Sequence, residues 1–250
     1  MYNLLMFYFE KVKEKRILKS DLITHAQCFF TTRETFIKSA DEKNATEIEE
    51  NKKILCNYLN IAYKNLINPT QTHSANIRIA KENQNDYPDT DALIITNKNQ
   101  AVFLNFADCT PLIFYDEKQN IGAVAHAGWR GTAAKIGVLT AEKMINEFNS
   151  KPKNIKVIIG PAISLCCYNV GEDVFYQLRN TVNNFENLYE IRTGNIYVDL
   201  KNINKTQLTE FGIEKIDVCP YCTCCNNDLF FSYRKENGTT NRHSAVLKLV

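Results

Sequence analysis

The chain is poor in the residues that mark specialised architectures. Only 6 of its 250 residues are proline and 9 are glycine, which excludes a collagen-like repeat and a Pro-rich low-complexity chain. Basic and acidic residues nearly cancel, 30 against 28, so the net charge of +2 supplies no field of the kind that nucleic-acid binders use. Apolar runs are short. The N-terminal MYNLLMFYFEKVKEKR has one, but no basic stretch precedes it and no small-residue cleavage site follows. Neither a nucleic-acid partner nor a membrane is therefore expected. Histidine is scarce at 4 and tryptophan stands at 1, whereas cysteine reaches the odd count of 9. An odd number of thiols without a secretory segment suits a reducing cytoplasm better than a disulfide framework. A Walker loop, a G-x-G-x-x-G fingerprint, a G-x-S-x-G elbow and internal repeats are all missing.

What is present is 44% hydrophobic, 11% aromatic and 23% charged content, the balance of a globular chain with a sizeable core. No linker or charge block marks a boundary, so residues 1–250 are read as one domain. Apolar residues at helical spacing predict helices over Glu42–Leu66, Thr132–Phe148, Gly171–Leu178 and Val198–Phe211. NIRIAK, DALIITN, AVFLNFADCTPLIFYD, IGAVAHAG, KVIIG and KIDVCP read as strands. LFFSYRK and HSAVLKLV read as a hairpin around Glu236-Asn237-Gly238. The expected fold is α+β, a mixed α/β sandwich of largely antiparallel or mixed sheets flanked by helices.

The chemistry concentrates where strands give way to small residues. Cys109 and His126 both occupy such strand ends, and a hairpin of the two strands brings them together. His73, in QTHS, is a third candidate from a neighbouring loop. Two imidazoles and a thiolate fill three tetrahedral positions of a catalytic zinc and leave the fourth open. The same residues also fit nucleophilic catalysis, with the Cys109 thiolate activated by His126 or His73 and oriented by Asp108. Metal content separates the two readings. Arg33, Arg130, Arg234 and Arg242 are candidate holders of an anionic substrate group, and Arg130 stands out because glycines bracket Trp129-Arg130. The cluster Cys219, Cys222, Cys224 and Cys225 has no second pair beside it in sequence, since Cys166-Cys167 lies far upstream, so reduced and partly buried thiols are expected there. It also fails the zinc-deaminase signature, because Pro220 follows its cysteine rather than preceding it.

From Thr72 to the C-terminus, ADCTP, HAGWRG, GPAISLCCYNVG and FFSYR follow one another in an order that resembles one family. It is the family called multicopper polyphenol oxidase or laccase, and also purine nucleoside phosphorylase and peptidoglycan editing factor. The resemblance implies a zinc on His73, Cys109 and His126, and a fold similar to the cytotoxic necrotising factor deamidases. It further implies phosphorolysis of adenosine, inosine, guanosine and methylthioadenosine, with adenosine deamination; for the latter, the chemistry of an open metal site makes the nearby Asp108 a candidate proton carrier. Purine nucleosides and phosphate are then the small-molecule partners, and since guanidinium suits phosphate, Arg130 and Arg242 are the candidate anion holders. Alternatives are a hydrolase that edits L-Ser from peptidoglycan precursors, a copper-dependent polyphenol oxidase, and a binding module that has lost activity.

Two departures bear on these alternatives. The family's N-terminal double glycine is replaced in Cys28-Phe29-Phe30-Thr31-Thr32-Arg33-Glu34-Thr35, which predicts an altered pocket. Its T-G-R becomes Thr240-Asn241-Arg242, with Asn241 expected at positive φ. For copper, four histidines cannot ligate a mononuclear and a trinuclear centre; a single blue-copper site would need an axial Met from Met1, Met6 or Met144.

Overall fold

The computed structural model describes residues 6–250. Two six-stranded sheets carry the fold. In the first, β1 (Phe7–Val12), β2 (Lys15–Ser20) and β3 (Ala26–Thr31) lead to β15 (His243–Leu249), then β7 (Ala101–Phe106) and the short β4 (Leu66–Ile67). In the second, β14 (Lys215–Val218) and β10 (Ile155–Ile159) lead to β8 (Thr110–Asp116), β9 (Ile121–Ala127), β6 (Ala92–Ile95) and β5 (Ile77–Ile79). Three pairings are parallel, β4–β7, β5–β6 and β10–β14, and the others in these sheets are antiparallel. A small third sheet joins β11 (Asn169–Val170), β13 (Asn195–Val198) and β12 (Tyr189–Arg192).

One apolar core lies between the large sheets. Phe30, Leu104 and Leu247 from the first meet Leu93, Ile113 and Val124 from the second, all buried. The outer face of the first sheet is covered by α1 (Ala45–Leu59), whose Leu55 and Leu59 pack on Phe29, Phe103 and Val246. Met144 of α3 (Ile136–Phe148) and Leu208 of α5 (Leu200–Glu210) cover the second. The result is a layered α/β sandwich in which both faces of each central strand are apolar, as near-continuous hydrophobic runs such as TPLIFYD require.

Several sequence readings change. The expected helix over Thr132–Phe148 is split into α2 (Trp129–Ala133) and α3, with Lys135 between them in the left-handed region at φ 58°. Gln207 and Asn204 of α5 donate to the Thr132 carbonyl and hydroxyl, which fixes the break. AVFLNFADCTPLIFYD is two strands, because Ala107–Cys109 leaves the first sheet and enters the second. The hairpin of LFFSYRK with HSAVLKLV does not form. Both edges of β15 are taken by β3 and β7, and Phe230-Phe231 instead anchor a compact turn held by the Glu236 carboxylate, which accepts from Ser232 N–H and Asn227 Nδ2. β1, β2 and β3 are additional strands that the sequence pattern did not reveal. Among the described residues no helix is long and apolar enough to cross a membrane.

Candidate functional site

The β8–β9 hairpin sets Pro111 opposite His126 and Thr110 opposite Ala127, which brings Cys109 beside His126 at one end of the sandwich. His73 arrives from the loop before β5, with its ring edge-on to that of His126 at 4.8 Å between centroids. One donor atom from each of His73, Cys109 and His126 lies within 4.8 Å of the others. The hairpin expected from sequence therefore does the work assigned to it.

A residue that sequence reasoning missed organises the cluster. Asp91, fully buried just ahead of β6, accepts from the successive backbone N–H groups of Thr72, His73 and Ser74, and from the Ser74 hydroxyl. Its Oδ1 also lies 2.8 Å from His126 Nδ1. Burial alone would raise this carboxyl, but the bonds from His126 and Ser74 prevail and hold it well below the usual carboxylate range. An ionised carboxylate only accepts, so His126 Nδ1 carries the proton and Nε2 is left as the free donor atom. The one signal in the sequence was an acidic residue heading an apolar strand, and turns supply many of those.

Backbone geometry at the site is unusual. His73 and Asp108 have positive φ, 61° and 89°, where side chains other than glycine are strained. Asp108 is held there by Ile163 N–H on its carbonyl, and by the Thr223 hydroxyl and Arg234 N–H on its carboxylate, each at 2.7–3.0 Å. A Cβ at Gly128 would come within 3.0 Å of Cys109 Sγ and 3.3 Å of the His73 ring, so any larger residue would press on both donors. Burial opposes ionisation of the Cys109 thiol, yet the neighbouring His126 and His73 pull it below the ordinary thiol range. Reciprocally, His126 is pushed above the ordinary imidazole range by the thiolate and by Asp91, against its burial.

The cluster opens into a cavity of about 730 Å³, a size suited to a small organic ligand. Its wall includes the cationic Arg234, Arg242 and Lys38, and Tyr168, Tyr233 and Ile163 as apolar surface. Arg242 donates to the Thr239 and Asn241 carbonyls, and Arg234 to Cys167 O, Asn169 O and Asn169 Oδ1. Among the described residues neither guanidinium is hydrogen-bonded to a carboxylate.

The other two candidate arginines are not in the wall. Arg33 pairs with Glu236 and stacks on Phe231, while Arg130, exposed, stacks on Trp129 at 4.4 Å. Neither the lost double glycine nor Arg33 borders the cavity; from this part of the chain it is Lys38–Ala40 that line it. Asn241 does not adopt positive φ. Its side chain instead accepts from Ser39 and Asn44.

Two imidazoles and a polarised thiol converging on one point fit a tetrahedral metal with an open position. They do not fit a multicopper centre. His25 is on the surface beside Glu117, and His243 is buried between Phe106 and Phe230. Among the described residues no methionine approaches the cluster: Met144 is buried in the core from α3 and Met6 is exposed, while Met1 is outside the described residues.

Known proteins agree with this architecture. A purine nucleoside phosphorylase of Bacteroides thetaiotaomicron is 31% identical over 212 residues, 79% of this chain and 77% of the relative. Purine nucleoside phosphorylase YlmD of Geobacillus stearothermophilus is 33% identical over 215 residues, 81% of this chain and 78% of its own. The crystal structure of that YlmD superposes with a TM-score of 0.87 over 96% of this chain and 98% of its own, at 28% identity. A Bacillus licheniformis protein, YfiH, reaches 0.89 at 27% identity and covers all of both chains. The model of the family described as multi-copper polyphenol oxidoreductase laccase matches residues 26–250, and the chain belongs to that family.

Proposed function

We propose that the protein is a purine nucleoside phosphorylase whose reaction takes place in the cavity beside His73, Cys109 and His126. One observation carries this reading: a single cavity of nucleoside size holds both the three-donor cluster and the guanidiniums of Arg234 and Arg242, which have no carboxylate partner. The relatives at 31% and 33% identity, both purine nucleoside phosphorylases by name, support the same reading. Adenosine, inosine, guanosine and methylthioadenosine are the proposed substrates, with phosphate as the second. The setting is the cytoplasm, which suits free thiols.

In phosphorolysis a phosphate oxygen bonds to the ribose C1′ as the C1′–N9 bond breaks. The electron pair leaves with the base, which then takes a proton. Arg234 and Arg242, with Lys38 at the rim, hold the phosphate dianion, and guanidinium suits this because it presents paired N–H donors. Tyr168, Tyr233 and Ile163 offer the flat apolar surface that a purine needs. Asp91 fixes the His126 ring, and Asp108 positions the Arg234 backbone. His73, Cys109 and His126 would hold a zinc ion, which would supply a Lewis acid to the cavity. Hydrolytic deamination of adenosine is a second activity of the same cavity, favoured by the Asp108 carboxylate lining it beside Cys109.

Replacing Arg242 by Met tests the anion site. The KM for phosphate is expected to rise about tenfold to a hundredfold, the worth of a hydrogen bond to a charged group, with the KM for inosine changing far less. An unchanged phosphate KM removes Arg242 from the anion site.

A further inference from the structure

A second cluster lies outside the cavity. Cys166, Cys167, Cys222 and Cys225 bring their four sulfurs within 4.8 Å of one another. The Cys225 sulfur is 3.5 Å from that of Cys166 and 3.4 Å from that of Cys167. Tetrahedral zinc with sulfur ligands has S···S edges of roughly 3.8 Å, whereas a disulfide closes to about 2.05 Å. The two shortest separations are far too long for a disulfide and within a few tenths of an ångström of the tetrahedral edge, and all four cysteines are free.

Two segments far apart in sequence are tied together so that the sulfurs meet. Ala162 and Cys222 form a parallel bridge, Thr223 N–H donates to Ala162 O at 3.1 Å, and Asn226 closes the Cys222 turn through both its N–H and its Nδ2 at 2.9 Å. Ser164 N–H points at Cys222 Sγ at 3.4 Å, a contact that favours a thiolate. Binding of one divalent ion by four thiols releases four protons and leaves a net charge of −2 on the group. Two guanidiniums stand ready to offset it: Arg192 donates to Cys166 O at 3.2 Å and Arg234 to Cys167 O at 3.4 Å.

We infer that Cys166, Cys167, Cys222 and Cys225 form a closed, structural four-thiolate site for zinc, separate from the cavity. It clamps the loop after β10 to the turn that carries Thr223. Since Thr223 and Arg234 both hold Asp108, the clamp also braces one wall of the cavity.

The test is metal content of the untagged full chain, purified under reducing conditions. Cys166 and Cys225 are exposed, so the double replacement Cys166→Ser/Cys225→Ser leaves the core intact. It is expected to hold about one zinc per chain less than the wild type. A Cys109→Ala/His126→Ala variant is expected to keep that zinc and, loaded with cobalt, to show intense thiolate-to-cobalt charge transfer. Equal zinc in wild type and the Cys166→Ser/Cys225→Ser variant, or no such band, overturns the site. Where the serine variant does not fold, thiol titration of the native Cys109→Ala/His126→Ala variant decides: Cys166, Cys167, Cys222 and Cys225 protected until the metal is displaced support the clamp, and immediate reaction of Cys166 and Cys225 refutes it. None of these readings depends on nucleoside turnover, so they stand apart from the activity of the cavity.

Discussion

Asp91 shows how much a single buried carboxylate can govern. It gathers three consecutive amides of the His73 loop and sets the protonated nitrogen of His126, so one side chain positions two of the three donors. Asp91→Asn is expected to lower affinity for the metal roughly 10- to 100-fold, measured by competition with a chelator. Unchanged affinity means that the loop, not the carboxylate, sets the geometry. His243 makes a different demand. Burial pushes its ring down to about 3 from an ordinary 6.5, the Pro161 carbonyl opposes this and Arg242 adds to it. The fold binds the neutral ring only, so its contribution is complete above the unfolded value and is lost as pH falls from there toward the folded one. The melting temperature of wild type should therefore drop more steeply from about pH 7.5 to about pH 5 than that of His243→Phe, and parallel curves would contradict the assignment. Cys109, His126 and His73 could be read from ADCTP, HAGWRG and QTH, because each motif surrounds its donor with small or turn-forming neighbours. Asp91 could not: DALIITN advertises a strand, and the partners of its first residue come from another loop.

Among the elements, β15 is the one on which the sandwich depends. It closes the first sheet between β3 and β7, and its Leu247 faces the core between the sheets with no exposed surface. It also sits against Gly122 of β9, where an added Cβ would come within 2.6 Å of the leucine side chain. Leu247→Ala is expected to cost about 2–5 kcal/mol, because packing this close leaves little room to collapse into the void. Urea denaturation measures it, and a loss below about 1 kcal/mol would show that the sheets can close the gap. Strands with both faces apolar, and α4 (Glu172–Arg179) and α5 with their amphipathic spacing, were visible in the sequence. β1 and β2 were not, because FYFEKV and KRILKS interleave charge with apolar residues whose partners lie across the sheet. FFSY looked like a strand for the opposite reason: its buried aromatics serve a turn, and composition alone does not separate the two.

As a whole, the molecule places its chemistry where the chain crosses from one sheet to the other. The crossing segment Ala107–Cys109 brings Asp108 and Cys109 to the cavity, β9 delivers His126, and the loops before β5 and β15, with Lys38–Ala40 and the loop after β10, line the rest of the wall. With a net charge of only +2, the surface as a whole supplies no strong field for anions, and the proposed phosphate site rests on Arg234 and Arg242 in the cavity wall. The six-stranded sheets are rigid supports for this wall, which is how residues remote in sequence keep a common geometry. The decisive measurement is the rate of inosine cleavage by the metal-loaded protein as phosphate is raised from zero. Saturable dependence on phosphate, with hypoxanthine and ribose 1-phosphate formed in equal amounts and both lost in Cys109→Ala, is the expected result. Hypoxanthine released at the same rate without phosphate, or no cleavage by folded, metal-loaded protein at any phosphate concentration, would contradict it.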